Sequence, residues 1–336
     1  MILAPRLEPG DVIGIVSPSW GGAAKFPHRV ELGVRQIESL GFRAIIGSHA
    51  LNEYGFVSDT AENRVHDIHA MFLDASVKAI LSTIGGDHSC HLLELLDFDL
   101  IRNHPKIFMG FSDTTVLNVA IWEKTGLVTF NGPALLTDFA EYPEMFEYTK
   151  TYMIKALCNN RAIGSVLPSK LWTEEYLDWM EKRDLVRPRA LRQSRGWNWL
   201  KGTRAEGTLI GGCLESLDHL RSTPFWPDWH GAIMFIETSE VAPSPERVDS
   251  LLMDYENMGV LRNINGLLVG RPMRYTAEEK RRLHEVVLDR TAKYSFPVVA
   301  DMDFGHTSPQ FTLPLGCQAL VDIENERFEI TSAAVA

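Results

Sequence analysis

Lys106-Ile-Phe-Met-Gly-Phe-Ser-Asp-Thr-Thr115 is the stretch that orders the rest of the chain. Ile107, Phe108 and Met109 make the short apolar run of a buried strand, and Gly110 allows a tight turn. Val116, Leu117, Val119, Ala120 and Ile121 then predict a helix with a buried face. Ser112 thus stands between a strand end and a helix start. A sharp turn there lifts the hydroxyl above the sheet and points the first helical N–H groups at whatever it attacks. The plainer alternative is that Ser112 and Asp113 only cap the helix, a position both residue types favour.

Upstream, Asp11 to Val16 reads as a strand that runs into a loop at Ser17. Val30, Val34, Ile37 and Leu40 recur at helical spacing over 27–40, and Gly41 ends the run. A second strand follows at 43–47, then a helix over 60–73 with Val65, Ile68, Met71 and Phe72 on one face. Lys78-Ala-Ile-Leu-Ser is the next strand and leads to Gly85-Gly86. A further helix is expected through Leu92, Leu93, Leu95 and Leu96. This alternation predicts an α/β fold with a parallel sheet and helices on both faces. Ligand crevices of such sheets lie at the carboxyl ends of the strands, so the Ser17 loop, Gly85-Gly86 and Ser112 are expected to converge. Gly85-Gly86-Asp87 is neither GxGxxG nor a Walker loop, which argues against dinucleotide or P-loop chemistry.

The character changes near residue 165. Trp172 to Arg183 reads as a polar surface helix, and 186–196 as an arginine-bearing loop. Trp197 and Trp199 flank Asn198 and either stack on a flat ligand or pin this segment to a domain. From Glu206 onward short strands dominate: 231–237, 266–270, 297–301 and a closing hairpin over 319–323 and 327–330. Helices are expected over 247–258 and 278–293.

Bulk properties narrow the class. A chain of 336 residues suits two domains, and 45% hydrophobic with 23% charged residues is the balance of a globular protein with a real core. The net charge of -11 argues against nucleic acid or an anionic membrane surface as the main partner. The first residues show no basic segment followed by an apolar one, and no apolar run approaches a membrane span, so a cytoplasmic location is expected. Cys90, Cys158, Cys213 and Cys317 form no CxxC pair, hence neither a zinc pattern nor a disulfide framework.

A hydroxyl nucleophile needs a base, and the base an orienting acceptor. His306 follows Gly305 at a strand end, where its ring could reach an inter-domain cleft. Glu237 closes an apolar run, an unusual place for a carboxylate without a partner. The competing class is metal hydrolysis, through Asp87, His88 and His91 or through Asp301, Asp303 and His306, but neither set has an HExxH-type spacing. A non-catalytic binding protein on the same scaffold, with Ser112 as a cap, is the third class.

Taken in order, Ile84-Gly-Gly-Asp, Leu96 to Ile101, Gly110-Phe-Ser-Asp-Thr-Thr, Thr125 to Pro133, Ile210-Gly-Gly, Phe235-Ile-Glu and Gly305-His-Thr-Ser-Pro resemble the LD-carboxypeptidase family of serine peptidases, in its microcin C immunity (MccF-like) branch. The resemblance implies a flavodoxin-like N-terminal domain and a smaller β-rich, swivelling-type C-terminal domain. The expected division is 1–165 for the first, 166–204 for a linker and substrate loop, and 205–336 for the second. It implies a triad of Ser112, Glu237 and His306, with the Gly86 and Asp113 amides as oxyanion hole. No cofactor is implied, and a homodimer is. The substrate expected is a peptidyl- or aminoacyl-nucleotide, with murein tetrapeptide as the alternative. Trp197 is the expected nucleobase ring, and Asp87 and Cys213 are expected to line the approach. Cys213 and the His88-Ser-Cys-His91 run depart from the family pattern, which usually carries Asn there.

Overall fold

The apolar runs of the first half fold as β1 (Val12–Val16), β2 (Arg43–Ile46), β3 (Val77–Ser82), β4 (Ile107–Met109) and β5 (Thr129–Asn131) in a computed structural model that describes residues 1–336. There follow β6 (Gly164–Val166), β7 (Leu171–Trp172), β8 (Arg192–Gln193), β9 (Asn198–Lys201), β10 (Arg204–Cys213) and β11 (Ala232–Glu237). The last are β12 (Gly266–Gly270), β13 (Val298–Met302), β14 (Leu313–Leu315), β15 (Gln318–Asp322) and β16 (Arg327–Ile330).

The first sheet runs β2-β1-β3-β4-β5 in parallel, the flavodoxin order, with β14 added antiparallel to β5. Helices at Pro27–Ser39 and Ala61–Leu73 supply the predicted crossovers. Every residue of β1, β4 and β5 is buried, as strands covered on both faces must be. The second sheet runs β6-β16-β15-β10-β11-β12-β13-β9. Its four central strands, β10 to β13, are parallel; β15, β16, β6 and β9 pair antiparallel, and β15–β16 is the predicted closing hairpin.

One hydrophobic cluster runs through both sheets. The helix Thr115–Thr125 lies within it and is buried on nearly every face, not on one. It packs beneath the first sheet and against the end of β10, where the Cys213 N–H donates to Thr115 Oγ1 at 3.0 Å. A helix enclosed by two layers needs no polar stripe, which explains why Val116, Leu117, Val119, Ala120 and Ile121 lie all around it and Glu123 and Lys124 come only at its end.

Three expectations are corrected. Leu92 to Leu96 forms no helix: a single 3-10 turn, Ser89–Leu92, precedes a short helix at Phe98–Asn103, with Asp97 as its N-cap. Trp172 to Arg183 is not helical either. It leaves β7 as an irregular loop and ends in a 3-10 turn at Arg183–Leu185. Trp172 is held by the cations of Arg192, Arg271 and Lys280, 4.5–5.4 Å from its ring, so tertiary contacts override the polar periodicity. The segment 166–204 is also less of a linker than expected, since β6 and β9 both belong to the second sheet.

Candidate active site

Phe111 is extended, and Ser112 then turns to φ 60°, a left-handed conformation that a side-chain-bearing residue adopts at a cost. The chain continues through one 3-10 turn into the helix Thr115–Thr125. This is the sharp strand-to-helix elbow read from the sequence. Gly85 lies directly against it: a Cβ there would fall 2.8 Å from Ser112 Oγ. The loops after β1 and β3 are clamped together beside the elbow. Trp20 N–H donates to the Gly85 carbonyl at 3.1 Å, and Ser19 Oγ accepts the His88 N–H at 3.0 Å. Asp113, fully buried, accepts the N–H groups of His88 and Ser89 at 2.9 and 2.8 Å. The Asp113 side chain therefore fixes the very loop that presents Gly86. The N–H groups of Gly86 and Asp113 themselves donate to no protein acceptor. A pair of free amides beside a hydroxyl can receive a developing oxyanion.

The second sheet completes the site. Glu237 ends β11 and is buried at 1% exposure. Its Oε2 lies 2.7 Å from His306 Nδ1, and His306 Nε2 lies 3.0 Å from Ser112 Oγ. Gly305 makes this approach feasible: at φ 96° a Cβ would sit 2.7 Å from Glu237 Oε2. The Phe111 ring packs edge-on to the imidazole, 5.1 Å between centroids. Ser112, His306 and Glu237 come from two different sheets and meet in one continuous set of contacts. Burial alone would push the His306 ring down; Glu237 and Glu240 outweigh it and hold it at about 10. Burial pushes the Glu237 carboxyl up, and His306 draws it back.

Glu240 was not read from the sequence. Its Oε2 sits 3.1 Å from His306 Nε2, the same nitrogen that faces Ser112. The hydrogen bond from His306 pulls its carboxyl down to about 2. The available signal was Glu237-Thr-Ser-Glu240, a second carboxylate three residues past the first at one strand end.

The substrate-contact expectations fare differently. Trp197 is not exposed to a ligand. It is 6% exposed, its Nε1–H donates to Asp303 Oδ2 at 2.7 Å, and its ring packs among Trp199, Phe311 and Phe328. It pins β9 to the core, the other role its spacing allowed. Cys213 does not line an approach either. It is buried opposite Glu237 in the β10–β11 register, with its thiol 3.7 Å from Glu215 Oε2. Burial, with Glu237 and Glu215 alongside, pushes that thiol up and keeps it protonated. Asp87 is exposed at the rim and pairs with His219 at 3.0 Å.

The candidate metal set Asp301, Asp303 and His306 is dispersed. Asp301 pairs with His284 and Asn198, Asp303 with Arg271, Trp197 and the Ser169 N–H, and His306 with Glu237. His49, His66 and Asp67 do lie with their ligand atoms within 4.8 Å of one another, but they share no hydrogen bond with the Ser112 site. No helix is long and apolar enough to cross a membrane.

Residues 13–132 match the LD-carboxypeptidase N-terminal domain and residues 206–321 the LD-carboxypeptidase C-terminal domain. The chain is 33% identical to the Microcin C7 self-immunity protein MccF of Escherichia coli, over 98% of this chain and 96% of that one. It is 30% identical to a probable murein peptide carboxypeptidase of Bacillus subtilis, over 98% and 94%. The structure of MccF in complex with glutamyl sulfamoyl guanosine superimposes with a TM-score of 0.93 at 30% identity, covering 100% of both chains.

Proposed function

The chain belongs to the LD-carboxypeptidase family, and we propose that Ser112, His306 and Glu237 are the nucleophile, base and acid with which it hydrolyses an amide bond of a peptidyl- or aminoacyl-nucleotide. The observation that carries the reading is the continuous Ser112–His306–Glu237 set of contacts at 3.0 and 2.7 Å, beside two unengaged amides. In this reading neutral His306 takes the Ser112 proton through Nε2 as Oγ attacks the scissile carbonyl. The Gly86 and Asp113 N–H groups hold the oxyanion. His306 returns the proton to the leaving nitrogen, the C–N bond breaks, and an acyl-enzyme remains on Ser112. Water, deprotonated by His306, then releases the acid and restores the hydroxyl. Glu237 keeps the Nδ1–H tautomer and offsets the imidazolium charge.

A nucleotide conjugate is favoured over other amides by an aromatic row that leads away from the elbow. Trp20, whose N–H bonds Gly85, lies 5.9 Å from Phe26, Phe26 lies 5.3 Å from Trp179, and Trp179 lies 5.8 Å from the exposed Tyr176. Phe26 is buried and Arg29 lies 4.3 Å from the Trp179 ring, so Trp20 and the exposed Tyr176 are the rings of this row left to meet a flat base. The MccF complex with glutamyl sulfamoyl guanosine is consistent with that class. The competing substrate is a murein tetrapeptide cut before its terminal D-alanine, favoured by the likeness to the murein peptide carboxypeptidase.

Mass spectrometry on an aspartyl-adenylate-type amide and an L,D-tetrapeptide, offered side by side to wild type and Ser112→Ala, separates the two. Cleavage of the nucleotide conjugate, lost in Ser112→Ala, is the expected result. Cleavage of the tetrapeptide alone would move the protein to murein turnover, and undiminished cleavage by Ser112→Ala would remove the serine mechanism.

A further inference from the structure

We infer that Glu240 is a gate on the base: its carboxylate occupies the reactive nitrogen of His306 and must transfer to Arg274 before Ser112 can be deprotonated. The inference rests on the Ser112–His306 reading above and adds to it a resting state.

A carboxylate only accepts hydrogen bonds. Glu237 on Nδ1 therefore requires a proton there, and Glu240, whose Oε2 forms an ion pair 3.1 Å from Nε2 beside the Ser112 contact at 3.0 Å, favours one there as well. A ring with both nitrogens protonated is an imidazolium, which has no lone pair for the Ser112 proton. The contact that stabilises this structure is thus the one that silences the base. The two carboxylates are not equivalent. Glu237 is buried on a strand, whereas the Glu240 side chain is 54% exposed on the loop 238–244 between β11 and the helix Pro245–Asn257. His306 is the one side chain within ion-pair distance of the Glu240 carboxylate, which also takes its own backbone N–H and feels the charge of Arg274.

An alternative partner stands next to it. Arg274 Nη1 donates to the backbone carbonyl of Glu240 at 3.0 Å, and that exposed guanidinium has no carboxylate of its own. A side-chain rotation of Glu240 would exchange one charge-assisted hydrogen bond for another. The groups that then face His306 are Glu237 from β11, Ser112 and the Phe111 ring edge from the elbow, with Cys213 and Glu215 behind Glu237. With Glu240 on Arg274, one carboxylate remains on the ring, and Nε2 can lose its proton and accept that of Ser112. Glu240 is a positioning residue in this scheme: it acts through the protonation state of His306 and makes no contact with the Ser112 hydroxyl.

The sign of the pH dependence follows. Against the pull of burial, Glu237 and Glu240 raise His306 above its ordinary value, so low pH favours the protonated ring and the base gains competence as pH rises. Removing Glu240 lowers the inflection; removing Arg274 deprives Glu240 of its outward partner and raises it. The test is the rate of Ser112 labelling by a fluorophosphonate from pH 5 to 10.5, in wild type, Glu240→Gln and Arg274→Gln, with an NMR titration of the His306 ring in each. Glu240→Gln should label roughly tenfold faster at pH 7, with the inflection and the ring titration about one unit lower, a factor of ten per unit. Arg274→Gln should move both the other way. Superimposable profiles for wild type and Glu240→Gln, or slower labelling of Glu240→Gln at every pH, would overturn the gate while leaving the nucleophile intact. Failure of all three proteins to label would instead strike the serine mechanism, and with it the gate's role in turnover. The ring titration then judges the contact alone: a lowered value in Glu240→Gln supports it, and an unmoved one removes it.

Discussion

Ser112 carries two demands that oppose one another. As the proposed nucleophile it must stand clear of the sheet, and the turn that achieves this places a β-carbon at φ 60°. For L-residues that region costs about 1–2 kcal/mol, most of which glycine avoids. Ser112→Gly should therefore be more stable than Ser112→Ala by about 1 kcal/mol in urea unfolding, although both lose hydrolysis by a factor of at least ~10³. Equal midpoints for the two variants would mean that the elbow is unstrained. At this scale much of the site was legible. The strand–Ser–Asp–helix pattern indicated Ser112, and the carboxylate closing an apolar run indicated Glu237. Glu240 was not legible, because an exposed loop carboxylate looks like any other until the fold shows which ring nitrogen it reaches. Asp113 was read as a cap or an amide donor. That its buried side chain anchors the Gly86 loop depends on residues 25 positions apart and leaves no local pattern.

The elements divide by what holds them. The helices at Pro27–Ser39, Ala61–Leu73, Pro245–Asn257 and Ala277–Thr291 follow periodicity closely, because one face of each meets the core and the other meets water, and the β15–β16 hairpin follows from its two short apolar runs. The segment between β6 and β10 does not, since its fixed points are single long-range contacts. Trp197 is the clearest of them: alternating tryptophans suit both a platform and a clasp, and only burial decides. Asp303 accepts from Trp197 Nε1 and the Ser169 N–H and forms an ion pair with the Arg271 guanidinium, and so ties both ends of the segment to the turn that leads to His306. Trp197→Phe keeps an aromatic ring and removes one of those donors. It should lower stability by about 1–3 kcal/mol, the cost of an unmet buried partner. The KM for a nucleotide conjugate should stay within about twofold, because the ring is out of reach of ligand, and a KM raised tenfold at unchanged stability would return Trp197 to the substrate site.

Across the whole molecule, the division at residues 165 and 205 describes the chemistry better than the packing. In the proposed mechanism the first half brings the hydroxyl and the amides and the second brings the acid and the base, while neither sheet is finished by its own half. β14, from residues 313–315, closes the edge of the first sheet, with Leu313 opposite Asn131 and Leu315 opposite Thr129. The helix Thr115–Thr125, which follows the nucleophile directly, takes part of its cover from β10. A fragment ending at residue 165 would therefore expose a β5 edge and an apolar helix face that nothing in the fragment covers. Sequence pattern could place the strands of each half but not this exchange, because a three-residue strand carries too little periodicity to name its partner 180 residues away. The expected consequence is a single cooperative unfolding transition. Far-ultraviolet circular dichroism, which sees both sheets, and fluorescence, which is weighted towards tryptophans of the second, should give coincident urea midpoints. The 1–165 fragment should lack a cooperative transition and bind a hydrophobic dye. Two separated transitions in the full chain, or a fragment that unfolds cooperatively, would mean that the halves are independent bodies. The Ser112–His306 contact at 3.0 Å would then have to be formed by docking instead of by folding.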